Sequence, residues 1–226
     1  MGRLLLLLFF IYSLSIYSQE VDKVSFSEAV ELNIKEYTKK SDIAYYYRDY
    51  ERGEFLFDSI INNVIKGSYL DNFTVRKRSG RKIELNKFKK PIVLITYATW
   101  HTPGKGEIPA LNKIAKKHHK EIDFVVLFWD TKKNVRRATR KYSRKINILY
   151  VDELENKFDH IVKTMKHSFG MPTTFFIDHD KRIIDVRRTA IHHYSEEFET
   201  SFNINYTSFL DGVSLLKLDS QKIVGE

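Results

Sequence analysis

Two runs of nearly unbroken apolar residues, Pro91 to Ala98 and Ile122 to Trp129, constrain the fold of this chain more than any other feature. Neither alternates apolar with polar, so each predicts a strand covered on both faces. Between them, Ile108, Leu111 and Ala115 recur at spacings of three and four. That period predicts a helix from Gly104 to His119 with these side chains turned inward. The alternation continues. Lys132 to Lys145 reads as a helix, Ile146 to Val151 as a strand, and Asn156 to Lys166 as a further helix. Thr173 to Ile177 and Arg182 to Val186 read as a hairpin closed across His179-Asp180, and Thr207 to Leu216 as a last helix. Upstream, Phe73 to Arg76 and Lys82 to Leu85 flank Ser79-Gly80, which predicts another hairpin. The whole is an α/β pattern: a central mixed β-sheet flanked by helices, with a hairpin running antiparallel at one edge.

Ahead of this pattern, Val24 to Lys66 reads as helix, and Gly67 marks a boundary. Phe55, Ile60, Ile61, Val64 and Ile65 give it an apolar stripe, and Tyr45, Tyr46, Tyr47 and Tyr50 are expected to pack between elements. Met1-Gly2-Arg3 followed by an apolar run from Leu4 to Tyr17, with Ser13, Ser15 and Ser18 near its end, reads as a secretory signal peptide. The run is shorter than the roughly 20 residues that span a bilayer, so cleavage and export to a periplasmic or secreted location are expected. No later segment is long and apolar enough to cross a membrane. The expected organisation is a signal peptide over 1–18, a helical N-terminal extension over 19–66 and one α/β domain over 67–226.

The chain contains no cysteine, so attachment through a lipid-modified cysteine is excluded and the core must hold without disulfides. With 42% hydrophobic and 14% aromatic residues, it has enough apolar material to do so. Its formal net charge of +9 favours acidic partners or anionic surfaces.

Several separate segments resemble the TlpA/ResA branch of the thioredoxin superfamily, the membrane-facing or periplasmic thiol-disulfide oxidoreductases. Phe73-Thr74-Val75 with Ser79-Gly80-Arg81-Lys82 is similar to that family's opening hairpin. Ala98-Thr99-Trp100, Pro103, Glu107-Ile108-Pro109 and Gly170-Met171-Pro172-Thr173-Thr174-Phe175-Phe176-Ile177-Asp178 are similar to its later motifs, in the family's order. The resemblance implies a thioredoxin-like fold from about Gly67 to Leu216, with a cis proline at Pro172 facing the active-site loop.

It also implies an activity whose two defining residues are missing. His101 and Gly104 stand where the family has the cysteines of Trp-Cys-x-x-Cys. Thiol-disulfide exchange requires a thiolate to attack and a second thiol to resolve the mixed disulfide, and neither an imidazole nor a glycine can substitute. The site carried over from the resemblance is therefore degenerate: His101 and Gly104, with Trp100, Thr102, Pro103, Glu107 and Pro172 around them. His101 is expected just before a helix, at the positive end of the helix dipole, which favours the neutral imidazole. Gly104-Lys105-Gly106 at the helix start could hold an anion through backbone donors, but P-loop spacing is absent and a solvated glycine-lysine segment is the expected reading. His118, His119, His160, His167, His179, His192 and His193 show no metal-site spacing, and no cofactor is expected.

A second candidate surface lies on the Lys132–Lys145 segment. Lys132, Arg136, Arg140 and Arg144 fall on one i, i+4 row, with Lys133, Arg137, Lys141 and Lys145 on the next. Such a face repels itself unless anions offset it, so Arg136, Arg137, Arg140, Lys141 and Arg144 are a candidate docking face for an anionic partner, beside the commoner reading of a charge run as a solvated face. Export and the lack of a stacking motif argue against nucleic acid.

The expected function is a redox-inactive, exported thioredoxin-like module that binds a protein or peptide in the cell envelope, with an acidic partner favoured by the net positive charge. Two enzymatic alternatives stay open. One is an oxidoreductase using thiols supplied by a partner; the other is a cysteine-independent hydrolase or metalloenzyme built on His101 and Glu107.

Overall fold

The two apolar runs become neighbouring parallel strands. In chain order the strands of the computed structural model are β1 (Thr74–Lys77), β2 (Lys82–Glu84), β3 (Ile92–Tyr97), β4 (Asp123–Trp129), β5 (Ile146–Val151), β6 (Thr173–Ile177) and β7 (Ile183–Arg188). The helices are α1 (Phe26–Tyr46), α2 (Tyr50–Ile60), α3 (Glu107–His118), α4 (Lys132–Ala138) and α5 (Phe198–Val224). The structure describes residues 23–152, 155, 162–166, 168–188 and 196–224. The expected signal peptide, most of the expected 156–166 helix, and His160, His167, His192 and His193 lie outside these residues. The described part of that helix, Val162–Lys166, is a π-helical turn.

One seven-stranded sheet runs in the order β2-β1-β5-β4-β3-β6-β7. β3, β4 and β5 are parallel, while β6 pairs antiparallel with β3 and β7 with β6. The sequence pattern placed an antiparallel hairpin at one edge; both edges carry one, because β1 also pairs antiparallel with β5, setting Arg76 opposite Tyr150 and Lys77 opposite Leu149.

All of β3 is buried, and its side chains alternate between two cores. Ile92 and Leu94 join the core beneath α1, α2, Phe169 and Phe175. Val93, Ile95 and Tyr97 join the core beneath α3 and α5, with Ala110, Leu111, Ile114 and Val213. Covering both faces is what lets a strand consist of apolar residues only. Among the described residues, no helix is long and apolar enough to cross a membrane.

The N-terminal helices share the first of these cores rather than standing apart from the sheet. Phe26 meets Phe175 edge-on at 5.6 Å, and the Ser27 hydroxyl donates to Asp71 Oδ1 at 2.6 Å. Lys66 pairs with the buried Asp185 on β7 at 2.9 Å. Arg188 donates to the hydroxyls of Tyr37 and Tyr45 at 2.6 and 2.7 Å and lies over the Phe57 ring. These contacts tie the extension to the β6–β7 side.

Four expectations need correction. The predicted single helix from Val24 to Lys66 is broken at Tyr47–Asp49, where Arg48 adopts a left-handed φ of 57° and the Asp49 side chain caps α2 by accepting from Arg52 N–H at 3.0 Å. That turn turns the tyrosines outward: Tyr46, Tyr47 and Tyr50 are exposed instead of packed. The predicted helix from Lys132 to Lys145 stops at Ala138 and continues only as a 3-10 turn over Thr139–Lys141. Its first turn holds cations at the positive helix end, with no side-chain cap at Thr131, and the Thr139 hydroxyl bonds back to Val135 O at 2.8 Å. Arg136 and Arg137 therefore stand on the helix, Arg140 and Lys141 on the turn, and Arg144 beyond it, so the two continuous rows do not form. Finally, the last helix is far longer than Thr207 to Leu216, because its N-terminal part packs beside α3.

Candidate functional site

The site is assembled where three strands end or begin. Register pairs Thr96 of β3 with Thr173 of β6, and the Thr96 hydroxyl donates to Thr173 O at 3.3 Å. The residues after β3 and those before β6 are therefore brought side by side. Trp100, His101, Thr102, Pro103 and Gly104 lie on the first segment, and Pro172, whose peptide bond with Met171 is cis, on the second. β4 ends beside them, and Asp130, directly after it, accepts a hydrogen bond from the Thr99 hydroxyl. Ends of this kind are where open α/β sheets form their sites.

Trp100 is 74% exposed, an unusual placement for a side chain of that size and apolarity. His101 is partly shielded and meets the edge of Tyr97 at 5.2 Å; its backbone N–H donates to Ala98 O at 3.1 Å. Burial lowers the pKa of its imidazole, so it is neutral at neutral pH. Neutrality was expected from a helix dipole, but α3 begins only at Glu107, well past His101, and the cause is burial. The late start has a local reason: Pro103, Gly104 and Gly106 are poor helix formers.

Glu107 is only 5% exposed and is held from two sides. Its Oε1 accepts from the Tyr97 hydroxyl at 3.1 Å and its Oε2 from Gly104 N–H at 3.2 Å, while Glu107 N–H returns to Gly104 O at 3.1 Å. Burial, reinforced by the Glu107 charge, raises the pKa of both Tyr97 and Tyr142, so both phenols stay protonated. Glu107 thus closes the loop on itself. Gly104-Lys105-Gly106 does not offer these donors to an anion, because Gly104 N–H serves Glu107 and Gly106 N–H donates to Ser201 Oγ at 3.0 Å.

Asp130 and Tyr97 were not singled out from the sequence, and Thr99 entered only as part of Ala98-Thr99-Trp100. Burial of Asp130 favours its neutral form, but donors from Thr99, Asn134 and Thr131 outweigh this and hold the carboxyl below its usual pKa. It is a carboxylate at neutral pH. The available signal was its position, a polar residue directly after a buried strand. Tyr97 gave none, since in sequence it is one more residue of an apolar run. Among the described residues, no three His, Cys, Asp or Glu side chains converge as a metal site would require.

Residues 67–186 match the AhpC/TSA family. Over 121 residues the chain is 31% identical to thiol-disulfide oxidoreductase ResA of Bacillus thuringiensis subsp. konkukian, covering 52% of this chain and 66%, just under two thirds, of that protein's length. The thioredoxin-like protein YneN of Bacillus subtilis is 22% identical over 122 residues, which is 54% of this chain and 70% of YneN. The crystal structure of the thioredoxin domain of a thiol-disulfide oxidoreductase from Bacteroides vulgatus superposes with a TM-score of 0.50 at 14% identity, covering 66% of this chain and 98% of that one. That likeness concerns the fold alone, which is thioredoxin-like.

Proposed function

From a chain that belongs to the AhpC/TSA family and carries no cysteine, we propose an exported binding module that holds an extended protein segment and performs no thiol-disulfide exchange. The observation that carries this reading is the combination at the ends of β3 and β6. Exposed Trp100 stands on the loop that follows β3 and is closed by Glu107, Pro172 directly precedes the neighbouring β6, and no thiol is present. An exposed indole flanked by a turn is suited to pack against a partner chain, since aromatic residues are favoured anchors in protein interfaces. The partner belongs to the cell envelope in this reading, consistent with the apolar leader Leu4 to Tyr17.

Hydrolytic or metal chemistry through His101 and Glu107 finds less support. The Glu107 carboxylate is committed to Tyr97 and Gly104, and His101 packs against the Tyr97 ring. The redox half of the proposal is tested with purified full-length protein in an insulin-reduction assay driven by dithiothreitol. The expected rate is that of the reductant alone, unchanged by His101→Ala. Turnover that rises with protein concentration would overturn the reading.

A further inference from the structure

The basic Lys132–Lys145 segment does not act as a helix face, but it has gained a neighbour. Lys132 Nζ donates to Ser79 O at 2.9 Å, so the tip of the β1–β2 hairpin, with exposed Arg78 and Arg81, adjoins the segment that carries Arg136, Arg140 and Arg144. At its far end the segment is fixed to α3: Asn112 Nδ2 donates to Lys141 O at 2.9 Å, and Ser143 N–H donates to Asn112 Oδ1 at 2.7 Å. Two sequence-distant cationic stretches are thereby held in one layout. Elsewhere cations meet carboxylates, as Arg182 does with Asp178 and Asp219, and Lys217 with Glu121. Among the described residues, Arg78, Arg81, Arg136, Arg140 and Arg144 have no carboxylate partner.

We infer that this platform docks the protein on an anionic phospholipid surface. The choice of a membrane over an acidic protein rests on what the platform lacks. Protein interfaces are anchored by buried aromatic and apolar side chains. Among the described residues, the large exposed hydrophobics fall on α1, α2, α5, Val24, Tyr47 and Trp100, and none on 76–82 or 131–145. Dispersed cations without an apolar centre match a laterally spread field of headgroups, to which each contributes additively. Nucleic acid is disfavoured for the same reason, because no aromatic side chain is exposed there on which bases could stack.

The test is co-sedimentation of the full chain with vesicles of phosphatidylglycerol and phosphatidylcholine, against vesicles of phosphatidylcholine alone. The apolar stretch Leu4 to Tyr17 would raise binding to both alike, so the readout is the difference between them. Binding is expected to prefer the anionic vesicles and to lose that preference between about 0.05 and 0.5 M salt, as the Debye length shrinks. Arg136→Glu with Arg140→Glu and Arg144→Glu, and separately Arg78→Glu with Arg81→Glu, are each expected to weaken the anionic preference by at least about tenfold. Their circular dichroism should remain native, since all these residues are exposed. Equal binding to both vesicles would overturn the inference. So would retained preference in the hairpin variant, or an absent preference together with capture of soluble polyglutamate, which would reassign the platform to an acidic polypeptide.

Discussion

His101→Cys combined with Gly104→Cys is expected to convert a protein with no turnover into one that reduces insulin at a rate proportional to its concentration. The supporting groups are already in place: Trp100 and Pro103 flank the two positions along the loop, buried Glu107 accepts from Gly104 N–H, and Pro172 directly precedes the adjoining strand. In the double variant one thiolate attacks the substrate disulfide, the mixed disulfide is resolved by the second thiol, and dithiothreitol reduces the resulting intramolecular disulfide. Partial burial at position 101, which lowers the histidine pKa, would oppose thiolate formation. The rate is therefore expected to be that of a thiol ionised to only a few per cent at neutral pH, about tenfold below that of a cysteine with a pKa near 7. Either cysteine alone leaves the mixed disulfide to be resolved by dithiothreitol from solution, with no second thiol beside it, so the single variants should add little to the rate of the reductant alone. A double variant that behaves like the two single ones would mean that the loop, whose helix starts only at Glu107, no longer brings the two positions together.

Gly106→Ala should be the most damaging small substitution near the site. Its φ is −93°, a value open to any residue, so the requirement for glycine is one of space. A Cβ there would run into the backbone of Phe202 and Ser201 at the start of α5, and backbone cannot yield as a flexible side-chain tip can. The substitution would also disturb the hydrogen bond from Gly106 N–H to Ser201 Oγ. The expected cost is about 3 kcal/mol, the upper end of the usual overpacking range, which for a chain of this size lowers Tm by about 9 °C. Thermal unfolding followed by circular dichroism measures it. An unchanged Tm would show that α5 does not rest on this contact.

The parts of the fold that were legible in the sequence are those set by local period. β3 and β4 announced themselves as apolar runs, α3 by Ile108, Leu111 and Ala115, and the hairpins by Ser79-Gly80 and His179-Asp180. What was not legible depends on partners far along the chain. Gly106 reads as a flexible residue until Phe202 is placed against it, and the outward turn of Tyr46 and Tyr47 depends on a left-handed Arg48 that no strong turn residue marks. The length of α4 was misread because its periodicity is carried by cations, whose repulsion and misplacement at the positive helix end work against the helix. At the site, the residues that define the loop could be read, but not the groups that hold them. Tyr97 is hidden within an apolar strand, and Asp130 matters only through Thr99 and the end of β4.

The account stands on the claim that this site binds a protein segment without exchanging disulfides. A photo-crosslinking amino acid placed at Trp100, and in a parallel protein at Leu32, an exposed residue of α1, tests that claim in the cells that make the protein. Discrete adducts are expected from position 100 that survive excess dithiothreitol, are absent from position 32, and disappear when Pro172→Arg is introduced beside the loop. Identical adducts from both positions, or adducts that dithiothreitol releases, would contradict it.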